Sequence, residues 1–319
     1  MERIGILTSG GDSPGMNAGI RSLVRTGIYH GYQMMGIRAG FTGLLEGDIH
    51  YLDLASVADI IHRGGTILKT SRSQEFQTEE GQKKALDQLD KAKIHKLFVL
   101  GGDGSFHGAQ ALADKGIEVM ALPCSIDNDL AYTDASIGFM TAVETITEAI
   151  GKIRDTSSSH ERGHVIQVMG RKCGDLAIFA GMSGGAENIL IPEVENSLKG
   201  ILAKIHQGKK RGKRHHILLV TEGVYDPYQL AEEIYQGTGV ETKVTILGYI
   251  QRGGSPTSFD RILASSLASR GLEYLIQGKT HHAMGFRGGE ISCLPLEEAL
   301  KEEKVFKEKL YQEIKMLSI

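Results

Sequence analysis

Five short β-rich apolar runs, most of them closing on glycine or a carboxylate, constrain the fold of this 319-residue chain more than any other feature. Ile4–Leu7 runs into Thr8-Ser9-Gly10-Gly11-Asp12, and Leu97–Leu100 into Gly101-Gly102-Asp103-Gly104-Ser105. Val119–Leu122 precedes Pro123, His164–Val168 precedes Met169-Gly170-Arg171, and Ile217–Val220 precedes Thr221-Glu222-Gly223. Continuous apolar runs of this length read as strands covered on both faces. Helical stripes separate them: Met16, Ile20, Leu23, Val24 and Ile28 keep to one face, as do Phe139, Val143, Ile146 and Ile150. Alternating β and α units predict an α/β fold of mostly parallel sheets flanked by helices. In such sheets ligands bind outside the carboxyl ends of the strands, where the Gly/Asp clusters fall.

Length points to two domains of ordinary size, or to one large α/β domain. The 41 glycines, nearly twice the usual share of about 7%, stand against only 6 prolines. That excess means tight turns and close backbone approaches, not low complexity. A net charge of −3 gives no basic excess for nucleic acid or a membrane surface. No apolar run is long enough for a transmembrane helix, and Met1–Leu7 reads as a first strand rather than a signal peptide. Cys124, Cys173 and Cys293 fit reduced thiols in the cytoplasm better than disulfides or a zinc site. The tail from Leu296 to Lys315, with Leu296, Leu300, Leu310 and Ile314 on helical spacing, reads as one amphipathic surface helix.

The corner Thr8–Asn17 joins the first strand to the first helix. Glycine lets backbone N–H groups approach phosphate oxygens, and a helix N-terminus favours the negative charge. No Walker pattern occurs, and such a corner alone is equally a tight βα turn. The second corner adds Asp103, either a ligand for Mg²⁺ or a turn or N-cap residue. Pro123-Cys124-Ser125-Ile126-Asp127-Asn128-Asp129 offers a general base and metal or phosphate contacts, or ordinary turn chemistry. Arg72, Arg154, Arg162, Arg171 and Arg252 fall near predicted loop positions, where arginine can capture phosphate bidentately or simply be solvated. The run Lys209–His216 reads as a solvated loop, and a small anionic ligand suits it better than nucleic acid. The paired histidines lack metal-binding spacing.

Together Gly10–Asn17, Gly101–Ser105, Ile126–Asp129, Met169–Arg171, Glu222-Gly223 and Gln251–Pro256 resemble the bacterial ATP-dependent 6-phosphofructokinases, in order and over nearly the whole chain. The resemblance implies two α/β domains with a cleft between them. They would be 1–138 plus 251–301 for ATP, and 139–250 plus 302–319 for the sugar phosphate. It further implies a cytoplasmic homotetramer with no nucleic-acid or membrane partner. The implied reaction transfers the γ-phosphoryl group of ATP, with Mg²⁺, to the 1-hydroxyl of fructose 6-phosphate, under regulation by ADP and phosphoenolpyruvate. On this resemblance Gly11, Arg72, Ser73, Gly102, Asp103, Gly104 and Ser105 hold ATP, with Asp103 on the metal. Asp127 takes the sugar proton, and Arg72 and Arg171 assist the transfer. Ser125, Ile126, Asp127, Met169, Gly170, Arg171, Glu222, Tyr249, Ile250, Gln251 and Arg252 hold the sugar phosphate, joined by Arg162 and Lys243 of a neighbouring subunit. An inter-subunit effector site draws on Arg21, Ser22, Leu23, Val24, Arg25, Arg154, Gly185, Ala186, Glu187, Arg211, Lys213, Arg214 and His215.

The chain departs from the family pattern at several of these positions. Gly104 leaves room for a nucleotide where pyrophosphate-dependent relatives carry aspartate. Cys124 matches neither the glycine of ATP enzymes nor the lysine of those relatives, and is expected to cost some clearance. Ser125 stands for threonine, Ser73 for cysteine or a similar small residue, and Phe41 for a hydroxyl-bearing aromatic expected to stack beside adenine. Lys243 replaces arginine and loses its bidentate fork. Tyr249 replaces histidine, and Leu54 replaces an effector-site arginine. Two other readings stay open: a catalytically weak regulatory paralogue, and a kinase for a related phosphosugar such as tagatose 6-phosphate.

Overall fold

The computed structural model describes residues 1–318 and divides into two compact units. The first is Met1–Ile126, Leu130–Thr141 and Arg252–Lys304; the second is Asp127–Asp129, Ala142–Gln251 and Val305–Ile319. The first opens with β1 (Arg3–Thr8), α1 (Met16–Tyr29), β2 (Gln33–Ile37), α2 (Gly40–Glu46) and β3 (Ile49–Leu52). It continues through α3 (Glu79–Lys91), β4 (Ile94–Gly101), α4 (Asp103–Ala113) and β5 (Glu118–Pro123). Helix α5 (Phe139–His160) starts in the first unit and runs on in the second. There follow β6 (Gly163–Val168), α6 (Asp175–Gly184), β7 (Asn188–Leu190), α7 (Leu198–Lys210), β8 (His216–Thr221), α8 (Pro227–Thr238) and β9 (Thr242–Ile246). The chain returns to the first unit for α9 (Ser258–Ile276), β10 (His282–Arg287), β11 (Glu290–Pro295) and α10 (Leu296–Lys301), and ends the description in α11 (Glu308–Leu317) of the second.

The first sheet has the order β11-β10-β5-β4-β1-β2-β3 and is parallel except at β3 and β11, its two edges. Its central strands β1, β4 and β5 are buried on both faces, as continuous apolar runs require. Ile4, Ile6, Phe98 and Leu100 pack with α1 and α9. Leu7, Leu97 and Val99 point the other way, into a core shared with α2, α3 and α4. The second sheet, β7-β8-β6-β9, is wholly parallel. Val165, Leu218 and Val220 meet α7 and α8 on one face. On α6, a side chain at Gly181 would collide with Ile189, so glycine sets how closely that helix lies on β7.

All five predicted runs are strands, and the predicted stripes of α1 and α5 are buried apart from the half-buried Ile28. The tail differs from expectation. It is two helices, α10 and α11, with residues 302–307 non-helical, because its halves belong to different units. Arg154 lies within α5 rather than in a loop. Among the described residues no helix is long and apolar enough to cross a membrane.

The start of α5 is held by Asp260, a fully buried residue in the first turn of α9. Its Oδ1 accepts from Gly138 N at 2.9 Å, and its Oδ2 from Thr141 N at 2.7 Å and Thr141 Oγ1 at 2.5 Å. Thr257 Oγ1 adds a longer contact at 3.3 Å, while its backbone N donates to Thr141 Oγ1 at 3.0 Å. First-turn amides have no intrahelical acceptor, so this carboxylate supplies one. Asp260→Ala should strand these buried donors and lower the unfolding free energy by about 3–5 kcal/mol. Urea denaturation reads this directly, and an unchanged midpoint would show that the cap contributes nothing.

Candidate active site

Helices α1 and α4 follow the adjacent strands β1 and β4 but cover opposite faces of the sheet. The chain therefore leaves the carboxyl edge in opposite directions at one point, where doubly wound sheets bind ligands. Both glycine corners meet there. Ser9 N donates to Leu100 O at 3.0 Å, and a Cβ on Gly101 would lie 2.7 Å from Ser9 O. Gly10 takes φ +83° and Gly15 φ +111°, backbone that side chains disfavour. Gly102 is the N-cap of α4, and its carbonyl accepts from Ser105 N and Phe106 N. Asp103 projects an exposed carboxylate beside His107, 3.7 Å away. Nothing lies within 4 Å of the missing Gly104 side chain. Arg252 Nη1 sits 3.5 Å from where a Gly11 Cβ would be, and Arg72 is exposed. Ser73 Oγ accepts from Phe76 N at 3.2 Å.

Among the described residues no three His, Cys, Asp or Glu side chains gather into a metal cluster. One exposed carboxylate at a glycine corner is nevertheless the donor set that suits Mg²⁺, whose shell phosphate oxygens and water complete.

Two expectations at this corner are corrected. Phe41 is only 5% exposed, stacked on Phe76 at 4.1 Å between centroids and packed over Gly108. It is a wall residue, not a stacking platform for adenine. Cys124 costs no clearance, because its thiol packs in the core with Ala135, Ile137 and Leu263. Burial pushes that thiol well up, and the Asp260 charge adds to the effect. The Cys124 atom nearest Gly102 is its carbonyl.

In the second unit, the turn Asp127–Asp129 is gripped by the segment after β6. Arg171 Nε lies 3.2 Å from Asp127 Oδ2 as an ion pair, with the carboxylate buried and the guanidinium half exposed. Gly170 has φ +136° and Arg171 φ +54°. Cys173 N closes onto Gly170 O at 2.8 Å, so this tight turn aims the guanidinium. Gln251, fully buried, accepts from Met169 N and donates to Gly248 O, supporting backbone rather than facing a ligand. Tyr249 and Ile250 are exposed, and Lys243 pairs with Glu241 at 2.7 Å. Arg162 Nε is buried without a hydrogen-bond partner. Glu222 N donates to Val168 O, and Met169 and Gly170 are buried. In the first unit, Ile126 is buried and Ser125 half-buried, its carbonyl accepting from Ser136 Oγ at 2.6 Å.

A second polar cluster lies elsewhere in the second unit. Glu187 receives Lys213 Nζ at 2.7 Å and Arg154 Nη1 at 3.8 Å. Arg154 Nη2 donates to Gly184 O and Gly185 O. Arg214 pairs with Glu161, Ala186 is buried, and Arg211 ends α7. A cavity of about 150 Å³ adjoins Gly185, Glu187 and Lys213 and is also lined by Leu317 and Ser318. The sequence reading missed Lys204, which donates to Glu187 O at 2.9 Å and Ser318 Oγ at 2.7 Å. One lysine among several on α7 carries no sequence signal of that role. Of the 21–25 stretch in the first unit, Leu23 and Val24 are fully buried core, and Ser22 Oγ bonds Ser265 O. Arg21 and Arg25 are the residues of that stretch that reach the surface as cations.

The phosphofructokinase family model matches residues 3–275. The chain is 53% identical over 319 residues to a protein of Alkaliphilus metalliredigens and 54% identical over 319 residues to one of Clostridioides difficile. Both are named ATP-dependent 6-phosphofructokinase, and each comparison covers 100% of both chains. In structure it is similar to phosphofructokinase of Saccharomyces cerevisiae, with a TM-score of 0.91 at 31% identity over 98% of this chain. It spans 50% of the yeast chain's length. A pyrophosphate-dependent phosphofructokinase of Nitrosospira multiformis shares the fold, with a TM-score of 0.86 at 20% identity over 96% of this chain and 86% of its own. The chain belongs to the phosphofructokinase family.

His216, the first residue of β8, is buried beside the Glu187 cluster with Nε2 unpartnered. Burial pushes it down to about 4; Glu187 opposes this, and Lys213, His215 and Lys209 add to it. Its folded pKa is thus depressed, so the unfolded chain takes up the proton first as pH falls below 6.5. Stability should drop between pH 6.5 and about 4, by roughly 3 kcal/mol from this group. His164, lowered by burial and then by Arg162 and Lys243, acts in the same direction. His216→Gln should flatten the pH dependence of the denaturation midpoint across that window; a profile parallel to the parent's would remove His216 as its source.

Proposed function

We propose that this chain is an ATP-dependent 6-phosphofructokinase, transferring the γ-phosphoryl group of ATP to the 1-hydroxyl of fructose 6-phosphate and releasing ADP. The observation that carries this is the buried Asp127 carboxylate held by Arg171, in a chain 53% identical over its whole length to a protein so named. The glycine corners present backbone amides to the nucleotide phosphates, and the open space at Gly104 leaves room for a nucleotide rather than bare pyrophosphate. Asp127 accepts the proton as the sugar oxygen attacks the phosphorus, while Arg171 keeps the carboxylate aimed. Arg72 and Arg171 offset the charge of the transferring group. Asp103 would hold Mg²⁺, which when bound would neutralise phosphate charge. Arg162, Lys243 and Arg252 take the sugar phosphate, the first two reaching a neighbouring subunit's site in a homotetramer. The Arg154–Glu187–Lys213 cluster, with Arg21 and Arg25 of a neighbour, takes a phosphate-bearing effector such as ADP or phosphoenolpyruvate.

Purified protein should phosphorylate fructose 6-phosphate with ATP and not with pyrophosphate. Turnover with pyrophosphate alone would overturn the reading of Gly104, and no turnover with either donor would overturn the enzyme. Asp127→Ser should lower kcat about 10²–10⁴-fold. Restoring the fork through Lys243→Arg should lower KM for the sugar phosphate several-fold at unchanged KM for ATP; an unmoved KM would take position 243 out of the sugar site.

A further inference from the structure

We propose that Asp175 and Asn128 are positioning residues that hold the turn carrying Asp127, an inference that rests on Asp127 being the base. Asn128 is fully buried and left-handed, at φ +54°, directly after Asp127. Its Nδ2 donates to Asp175 Oδ2 at 2.8 Å, a buried amide–carboxylate bond across 47 positions of sequence. Asp175 opens α6 and is itself 3% exposed. It lies four residues beyond Arg171, so one short segment grips two successive residues: Arg171 takes Asp127, and Asp175 takes Asn128. Between them Cys173 Sγ reaches Asn128 O at 3.8 Å. Lys307 Nζ stands 3.7 Å from the same Asp175 oxygen and supplies a compensating charge.

The division of labour follows from burial. Arg171 is half exposed and contacts the Asp127 side chain. The Asn128–Asp175 bond is buried and charge-assisted, and it fixes the backbone from which Asp127 projects. The three residues Asp127–Asp129 are flanked in sequence on both sides by the first unit yet belong with the second. A shift of about 1 Å in a reacting group can cost about 10²-fold in rate, so the anchor acts on chemistry more than on affinity.

Asn128→Gly removes the amide while keeping the left-handed backbone. Asp175→Ala removes the acceptor, and Asp175→Asn keeps an acceptor oxygen. Asn128→Gly and Asp175→Ala should lower kcat about 10–100-fold while KM for ATP stays within about twofold. Asp175→Asn should fall between Asp175→Ala and the parent. In an Asp127→Ser background, Asn128→Gly should cost less than about twofold more, because the residue it positions is gone. Parent-like kcat in Asn128→Gly would overturn the proposal. So would equal losses in both backgrounds, or an Asp175→Asn no better than Asp175→Ala. If Asp127→Ser itself keeps full turnover, the base assignment falls and this inference with it. A damaged Asp127→Ser beside an unaffected Asn128→Gly overturns this inference alone. Should Asp175→Ala fail to fold, Asn128→Gly carries the test by itself.

Discussion

The buried carboxylate of Asp260 is the constraint on which the rest of the structure turns. It serves the first-turn amides of α5, the helix that carries the chain from one unit into the other. Burial pushes its carboxyl above the usual aspartate value, and the donors from Gly138, Thr141 and Thr257 offset that cost. The nucleotide corner rests on the same point. A Cβ at Gly15 would strike Ile137 at 2.6 Å, and one at Gly138 would strike Ser13 at 2.6 Å. The Gly-rich approach to α1 is thus shaped by packing against the start of α5 as much as by any ligand.

The two units carry different kinds of functional group. The first supplies backbone amides, open space and one exposed carboxylate, features that accommodate charged oxygens at little conformational cost. The second supplies a buried carboxylate, a guanidinium and backbone in left-handed conformations at Asn128 and Arg171. Such conformations persist only where surrounding contacts fix them, and Asn128 and Arg171 both adjoin the proposed base Asp127.

Much of this was legible in the sequence because it is local. Strand runs, glycine corners and the stripes of α1 and α5 follow from periodicity and turn chemistry within a few residues. Strands β2, β3, β7 and β9–β11 have no counterpart among the predicted runs. β9, Thr242–Ile246, is short and polar and becomes a strand through its pairing with β6. Direction was the harder quantity. Nothing in the sequence says that Cys124 points into the core or that Phe41 gives its face to Phe76. The Asn128–Asp175 bond and the reach of Lys204 join distant stretches, so only the folded chain reveals them.

The interleaving of the two units has a consequence for synthesis. Phe98, Leu100 and Met120 of the first sheet are covered by Leu267 and Leu272 of α9 and adjoin Met284 of β10. Those partners lie beyond the whole central stretch Ala142–Gln251. At ribosomal rates of about 5–20 residues per second, one face of that sheet has α1 at hand but waits on the order of ten seconds for α9. Until then the nascent chain presents an apolar surface that only a chaperone or premature self-association can occupy. The long crossover that separates the two halves of the first core sets the interval during which this protein is most exposed to misassembly.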